Sequence, residues 1–497
     1  MIKDNHSIST LGQLKASGYK PKSIKEEMRD NLIYALKNKI NVFSDIKGYE
    51  DTVIPQLQTA ILSRHNILLL GLRGQAKTKL ARLMLNLLDE HIPVVAFSEV
   101  NDDPFNPLSR YAKDVIAERG DETPIQWIHR SERYSEKLAT PDVSVSDLIG
   151  DLDPIKAASL KLSYADERVI HFGLIPRSHR GIFVINELPD LQARIQVALF
   201  NILQEGDIQI RGFKLRLPLD IQFVFTANPE DYTNRGSIVT PLKDRIDSQI
   251  ITHYPKTPAI SKSITLQEAR LAEAQKKNIH INPLVSDILE EVAFEARKSE
   301  YIDQKSGVSA RLSISAYENL CSAAERRMLL NNEDKSFSRV GDLYSAIPSI
   351  TGKVELVYEG ETEGISNVAY FVIGKTIRKK FEQFYPSPEK LKRAKKENPY
   401  QDIINWFSDG NNIQLLQDLP FSEYKRILCS IPGLNALVRT KAGNLSEEET
   451  LLHMELVLHG LAESSQISKN KIDKGIEFKD FMTGMFSGAD EFDEELN

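Results

Sequence analysis

Residues 66–80 read NILLLGLRGQAKTKL. The apolar run from Ile67 to Leu70 is short enough for a strand buried on both faces. Gly71 ends it, and Gly71, Leu72, Arg73, Gly74, Gln75 and Ala76 lead to Lys77 and Thr78, where a helical pattern begins. A strand, a glycine loop and a Lys-Thr pair opening a helix form the setting of a phosphate-binding loop. In such a loop the backbone N–H groups and the helix N-terminus face anionic oxygens. Lys77 then reaches the β- and γ-phosphates and the Thr78 hydroxyl ligates Mg²⁺. Ala76 stands where a second glycine is usual, which suits a residue that already belongs to the helix, since alanine is the best helix former. The nucleotide-binding candidates are Gly71, Leu72, Arg73, Gly74, Gln75, Ala76, Lys77, Thr78 and Leu80. A strand–turn–helix with an unrelated lysine is the competing reading.

With 497 residues, 41% hydrophobic and 27% charged, the chain has the composition of a multidomain globular protein. A net charge of −7 gives no electrostatic reason to expect nucleic acid as a partner. Cys321 and Cys429 lie far apart without ligand spacing, so neither a disulfide framework nor a zinc site is indicated. No apolar run reaches the roughly 18 residues of a membrane span, and the N-terminus lacks a signal-like apolar core, so the expected compartment is the cytoplasm without membrane attachment.

Residues 92–97 read as a second buried strand. Residues 101–141 are polar and proline-bearing, an insertion or solvated excursion in which Asp102 and Asp103 suit a capped turn better than a metal site. Residues 181–186, GIFVIN, form another apolar run, followed by Glu187. The first polar position after such a strand supports Mg²⁺ through water, and the second polarises the attacking water. Glu187 fits the second role. Asn186 takes the first, where aspartate is expected, and brings no charge. Residues 207–217 alternate about a glycine, as a β-hairpin does. Residues 221–227 are a further apolar strand ending at Asn228, which either positions water or starts a turn before Pro229. Beyond residue 261 the periodicity is mostly helical, with one extended pair around residues 354–358, a boundary at Pro386 and Pro388, and an acidic end, DEFDEELN, expected to be disordered.

The motifs GLRGQAKT, INELPDL, TANPED, TPLKDR and SARLS follow one another as in the AAA+ ATPases. Together they resemble the MoxR and magnesium-chelatase subunit I branch. The segment HFGLIPRSHRGIFVINE, the hairpin before residue 221 and GKVELVYEGE strengthen that likeness, which spans roughly residues 40–385. It implies an α/β fold: an AAA+ P-loop parallel-sheet core with a helical lid domain and a C-terminal helical extension. The expected organisation is an N-terminal segment (1–40), the nucleotide-binding domain with inserts (41–255), the lid (256–385) and the extension with its acidic tail (386–497).

By position, the resemblance makes Asn228 the first sensor, Arg245 an arginine finger offered to a neighbouring subunit, and Arg311 the second sensor. Arg235 is the reserve finger and Arg180 a weaker candidate to act in trans. A surface ion pair is the competing reading for Arg245 and Arg311. The implied cofactors are ATP and Mg²⁺. The implied assembly is a homo-oligomer, a hexameric ring, working with a partner that carries a von Willebrand A (VWA) domain. The implied activity is ATP hydrolysis between subunits driving remodelling of that partner. Asn186 also permits an ATP-dependent assembly switch with little turnover, and the ATPase subunit of a magnesium chelatase is a third possibility. Transcriptional activation on DNA is disfavoured, since no GAFTGA-like loop or helix-turn-helix is present.

Overall fold

The apolar runs become neighbouring strands of one parallel sheet in the computed structural model, which describes residues 7–164, 166–210, 213, 216–229, 237–443 and 445–481. The sheet contains β1 (Ile67–Leu70), β2 (Tyr134–Leu138), β3 (Gly181–Asn186), β4 (Ile221–Ala227) and β5 (Ser248–Ile251). Their order is β5-β1-β4-β3-β2, and every pairing is parallel. Parallel neighbours need crossovers, which place helices on both faces. Ile67, Leu69, Ile182, Val184, Val224 and Ile250 point to one face, onto α1 (Ile24–Lys37), α2 (Val53–Leu62) and α3 (Lys77–Leu83). Leu68, Phe183, Ile185, Phe223 and Phe225 point to the other, onto α4 (Ala193–Glu205).

Two features of this unit differ from the reading of the sequence. Residues 91–95 do form a strand, but it pairs antiparallel with Ile125–His129 outside the main sheet. The sheet's edge is β2, YSEKL, inside the stretch expected to be an insertion. An edge strand has little apolar cover, so its side chains are half-buried or exposed and no apolar run marks it. Asp102 is buried and accepts hydrogen bonds from Ser98 Oγ (2.7 Å) and Ser109 N (2.8 Å), the capped turn its position suggested. The hairpin pairs Asp207–Gln209 with Arg216–Pro218, while Gly212 lies outside the described residues.

A buried ion pair ties α1 to the start of β2. Arg133 donates to both oxygens of Glu27 (2.7 and 2.6 Å) and through Nε to the Arg180 carbonyl (2.8 Å). The backbone N–H of Asp89 adds a further bond to Glu27 (2.6 Å). Nearby, burial pushes the Asp220 carboxyl up to about 6, although it accepts the Ile24 N–H, and burial with Arg180 alongside holds His179 down at about 3. α1 is thus built into the core of this unit.

The chain divides into two units, Met1–His253 and Tyr254–Asn497. The second is mainly helical, with α5 (Pro283–Ala296), α6 (Arg311–Leu330), α7 (Ile365–Phe384) and α8 (Glu447–Glu463) around a large apolar core that runs from Leu284 to Phe478. Phe381 and Tyr385 share that core with Tyr400 and Phe407, so the prolines at 386 and 388 do not divide it. α8 is buried on every side from Leu451 to Leu461. The extension also contains strands: β6 (Ile413–Leu416), β7 (Ser468–Ile472) and β8 (Gly475–Lys479) form an antiparallel sheet in the order β6-β8-β7. The extended pair expected near residue 356 reduces to one bridge between Ile302 and Leu356, with a helix starting at Tyr358. Among the described residues no helix is long and apolar enough to cross a membrane.

Candidate active site

In an open parallel sheet, ligands sit beyond the carboxyl ends of the strands. The registers bring three sequence motifs to that edge. Leu70 pairs with Ala227 and Ile251, and Ile185 pairs with Phe225. The loop after β1, Asn186 and Glu187 at the end of β3, and Asn228 after β4 therefore emerge side by side.

The loop is shaped by close backbone approach. A Cβ on Gly71 would lie 1.9 Å from Thr252 Oγ1 and 2.2 Å from Gln75 Oε1, so only glycine fits. Thr252, just past β5, donates to Gln75 Oε1 (2.7 Å), and the Tyr49 hydroxyl lies 2.9 Å from the Gln75 carbonyl. Both contacts hold the loop in place from behind. Lys77 is buried at the first turn of α3, its Nζ donating to the carbonyls of Gly71 and Leu72, the latter at 3.0 Å. Arg73 is exposed at the loop tip, while Leu80 is fully buried with Leu69 and Met84 in the core beneath.

Ala76 is not yet helical. It caps α3 in the left-handed region (φ 56°, ψ 20°), so its helix propensity does not explain it. For an L residue that conformation costs about 1–2 kcal/mol, which glycine avoids. Ala76→Gly is expected to unfold within about 0.5 kcal/mol of wild type, relief of strain offsetting the lost methyl contact. Ala76→Val, β-branched in the same conformation, is expected to lose about 2 kcal/mol. Thermal unfolding of the full chain checks both, and a well-tolerated valine would rule out the left-handed cap.

Asn186 and Thr78, 108 positions apart, meet directly: Thr78 Oγ1 donates to Asn186 Oδ1 (3.3 Å). Thr226 Oγ1 donates to the same oxygen (3.2 Å) and accepts the Glu187 N–H (3.1 Å). Thr226 was not singled out from the sequence. Its signal was a polar side chain one residue from the end of the mostly apolar strand IQFVFTA. Glu187 also has left-handed backbone (φ 55°, ψ 50°), a strained turn directly after β3. Asn228 is buried at the same edge.

These residues fit a nucleotide and its metal. A glycine-bounded loop, a buried lysine and a helix N-terminus face where phosphates bind, and the Thr78 and Asn186 oxygens are hard donors of the kind Mg²⁺ takes.

The arginines lie elsewhere. Arg245 follows the short helix Thr240–Asp244 and precedes β5, whose first residue, Ser248, pairs with Ile67. It thus sits at the amino end of the strands, opposite the phosphate loop. The intervening strand is four residues long, about 13 Å at ~3.3 Å per residue. Its guanidinium is half-buried, donating to the Pro241 carbonyl (2.7 Å) and Gln204 Oε1 (3.0 Å), 5.2 Å from the Phe200 ring centre. Arg180 is buried and donates to the Pro93 carbonyl (2.7 Å), which withdraws it as a group offered to a neighbour. Arg311 is exposed at the first turn of α6 in the second unit. Arg235 lies outside the described residues.

The chain is similar in sequence to known proteins. Residues 160–250, from the segment before β3 to β5, match the family model of the sigma-54 interaction domain. The 38 kDa subunit of magnesium chelatase from Cereibacter sphaeroides is 26% identical over 223 residues, 43% of this chain and 59% of its own length. The chain thus spans less than two thirds of that relative. Among solved structures, a putative ATPase from Cytophaga hutchinsonii is 18% identical with a TM-score of 0.29, over 74% of this chain and 98% of that one. A model of the complex between subunits BchI and BchD of magnesium chelatase is 19% identical with a TM-score of 0.33, over 64% of this chain and 98% of that one. The ordered motifs, the family-model match and the sequence relative agree: this chain is similar to AAA+ proteins of the MoxR and magnesium-chelatase type.

Proposed function

We propose that the chain is an ATPase that hydrolyses ATP to ADP and phosphate at the interfaces of a homo-oligomeric ring, a hexamer, and uses the cycle to remodel a VWA-domain protein. The observation that carries the interfacial reading is the location of Arg245, at the end of the sheet opposite its own phosphate loop. An arginine so placed can neutralise phosphoryl charge only in another subunit's site. Within one subunit, Lys77 and the loop amides would hold the phosphates, and Thr78 and Asn186 would hold Mg²⁺, which when bound draws charge from the β- and γ-oxygens. Glu187 takes the proton of the attacking water, Asn228 orients that water, and Arg311 acts as the second sensor.

Complementation tests the shared site. Lys77→Ala and Arg245→Ala should each abolish turnover, and an equimolar mixture should regain it. In a randomly mixed ring about one site in four joins an intact loop to an intact arginine. If the mixture stays inactive although the variants co-assemble, Arg245 does not act in trans.

Asn186 supports a second reading, in which ATP assembles the ring and turnover is slow, because a neutral amide holds the metal less firmly than a carboxylate. The resemblance to a magnesium-chelatase subunit supports a third, an ATPase serving metal insertion into a porphyrin. Insertion assays with cognate subunits separate that reading from protein remodelling.

A further inference from the structure

Arg245 is held by neutral acceptors. Its Nε–H meets Gln204 Oε1 (3.0 Å) and one Nη1–H meets the Pro241 carbonyl (2.7 Å). Nη2 makes no hydrogen bond to a described residue, and among the described residues no carboxylate lies within ion-pair distance of the guanidinium. A surface ion pair, the competing reading of this arginine, is therefore not formed within the described chain. The charge stays uncompensated, and the Nη2 end of the planar fork, which suits bidentate contact with phosphoryl oxygens, is left over.

The backbone beneath the arginine is fixed. Gln196, buried in the first half of α4, donates Nε2 to the Ser237 carbonyl (3.1 Å) and accepts the Val239 N–H at Oε1 (2.9 Å). Leu242, inside the short helix Thr240–Asp244, is buried in the same core as Leu199 of α4. What remains adjustable is the direction of the guanidinium. Pro241 lies four residues before Arg245 in the arginine's own short helix, so its carbonyl moves with that helix. Gln204 is the polar contact that refers the guanidinium to another element. Phe200, four positions earlier and on the same face of α4, places its ring centre 5.2 Å from the guanidinium carbon. The ring supports the side chain, and the amide oxygen selects which way the fork turns. A carboxylate at position 204 would hold the arginine more firmly but spend the charge; an amide holds it and leaves the charge intact.

Resting on the reading of Arg245 as a group offered to a neighbouring subunit, we propose that Gln204 is its positioning residue, aiming the guanidinium at the phosphoryl oxygens of the next site. Mixed rings test this with Gln204→Met, which keeps the length of the side chain and a good helix former but removes the amide acceptor. The reference is turnover regained by mixing Lys77→Ala with Arg245→Ala chains. In that mixture every complete site takes its arginine from a Lys77→Ala chain and its loop from an Arg245→Ala chain. Gln204→Met added to the Lys77→Ala chain is expected to lower the regained turnover about tenfold, since a misplaced catalytic group loses much of its effect. The same change added to the Arg245→Ala chain is expected to leave it within about twofold of the reference. A merely structural role would lower both mixtures alike. Equal loss in both, or no loss in either, overturns the positioning role while leaving Arg245 in place. If the reference mixture itself regains nothing although the chains co-assemble, the interfacial reading fails and takes this proposal with it.

Discussion

Phosphate release by purified Glu187→Gln is expected to fall about 1,000-fold below wild type while ATP still binds. The glutamine keeps the size and hydrogen-bonding reach of the side chain but cannot take a proton from water, and a positioned general base is worth roughly 10²–10⁴ in rate. The strained turn at Glu187 and its backbone bond to Thr226 are retained by glutamine, so the loss belongs to the carboxylate. Steady-state phosphate release and equilibrium binding of a fluorescent ATP analogue make the measurement. A wild type no faster than the variant would sink the hydrolytic reading and leave the assembly switch. Asn186→Asp sharpens the comparison, because it restores a charge beside Thr78 at a position where the two side chains already touch. If the amide limits the metal, that variant turns over faster than wild type.

Glu27→Ala is expected to cost the first unit about 3–5 kcal/mol, because it strands a guanidinium that is 2% exposed. Arg133 would keep its bond to the Arg180 carbonyl but lose both charge-assisted contacts, and the Asp89 N–H would lose its acceptor. A loss of that size is a large share of a domain's net stability. Each unit carries one of the two tryptophans, Trp127 and Trp406, so denaturant unfolding followed by fluorescence in a Trp406→Phe background reports the first unit alone. A cost below about 1 kcal/mol would mean that the pair behaves like a solvent-screened surface bridge.

The sequence by itself determined the central strands and the polar residues at their tips. β1, β3 and β4 are buried on both faces, so nearly every residue is apolar and the runs stand out locally. The polar residues that end those runs, the phosphate loop, Asn186, Glu187 and Asn228, were legible for the same reason: charge and amide groups appear abruptly where the strands leave the core. Tertiary structure alone decided what depends on distant neighbours. β2 was hidden because an edge strand needs only one partner and few apolar side chains. Ala76 was misjudged because its φ is set by how the loop packs against Thr252 and Tyr49, residues on other strands and turns. Arg180 looked available to a neighbouring subunit, yet it folds inward onto Pro93. The Glu27–Arg133 pair joins positions 106 apart and forms only once the fold brings α1 beside β2. Periodicity reports how one segment meets water, whereas ion pairs, caps and cavities are properties of segments brought together by the fold.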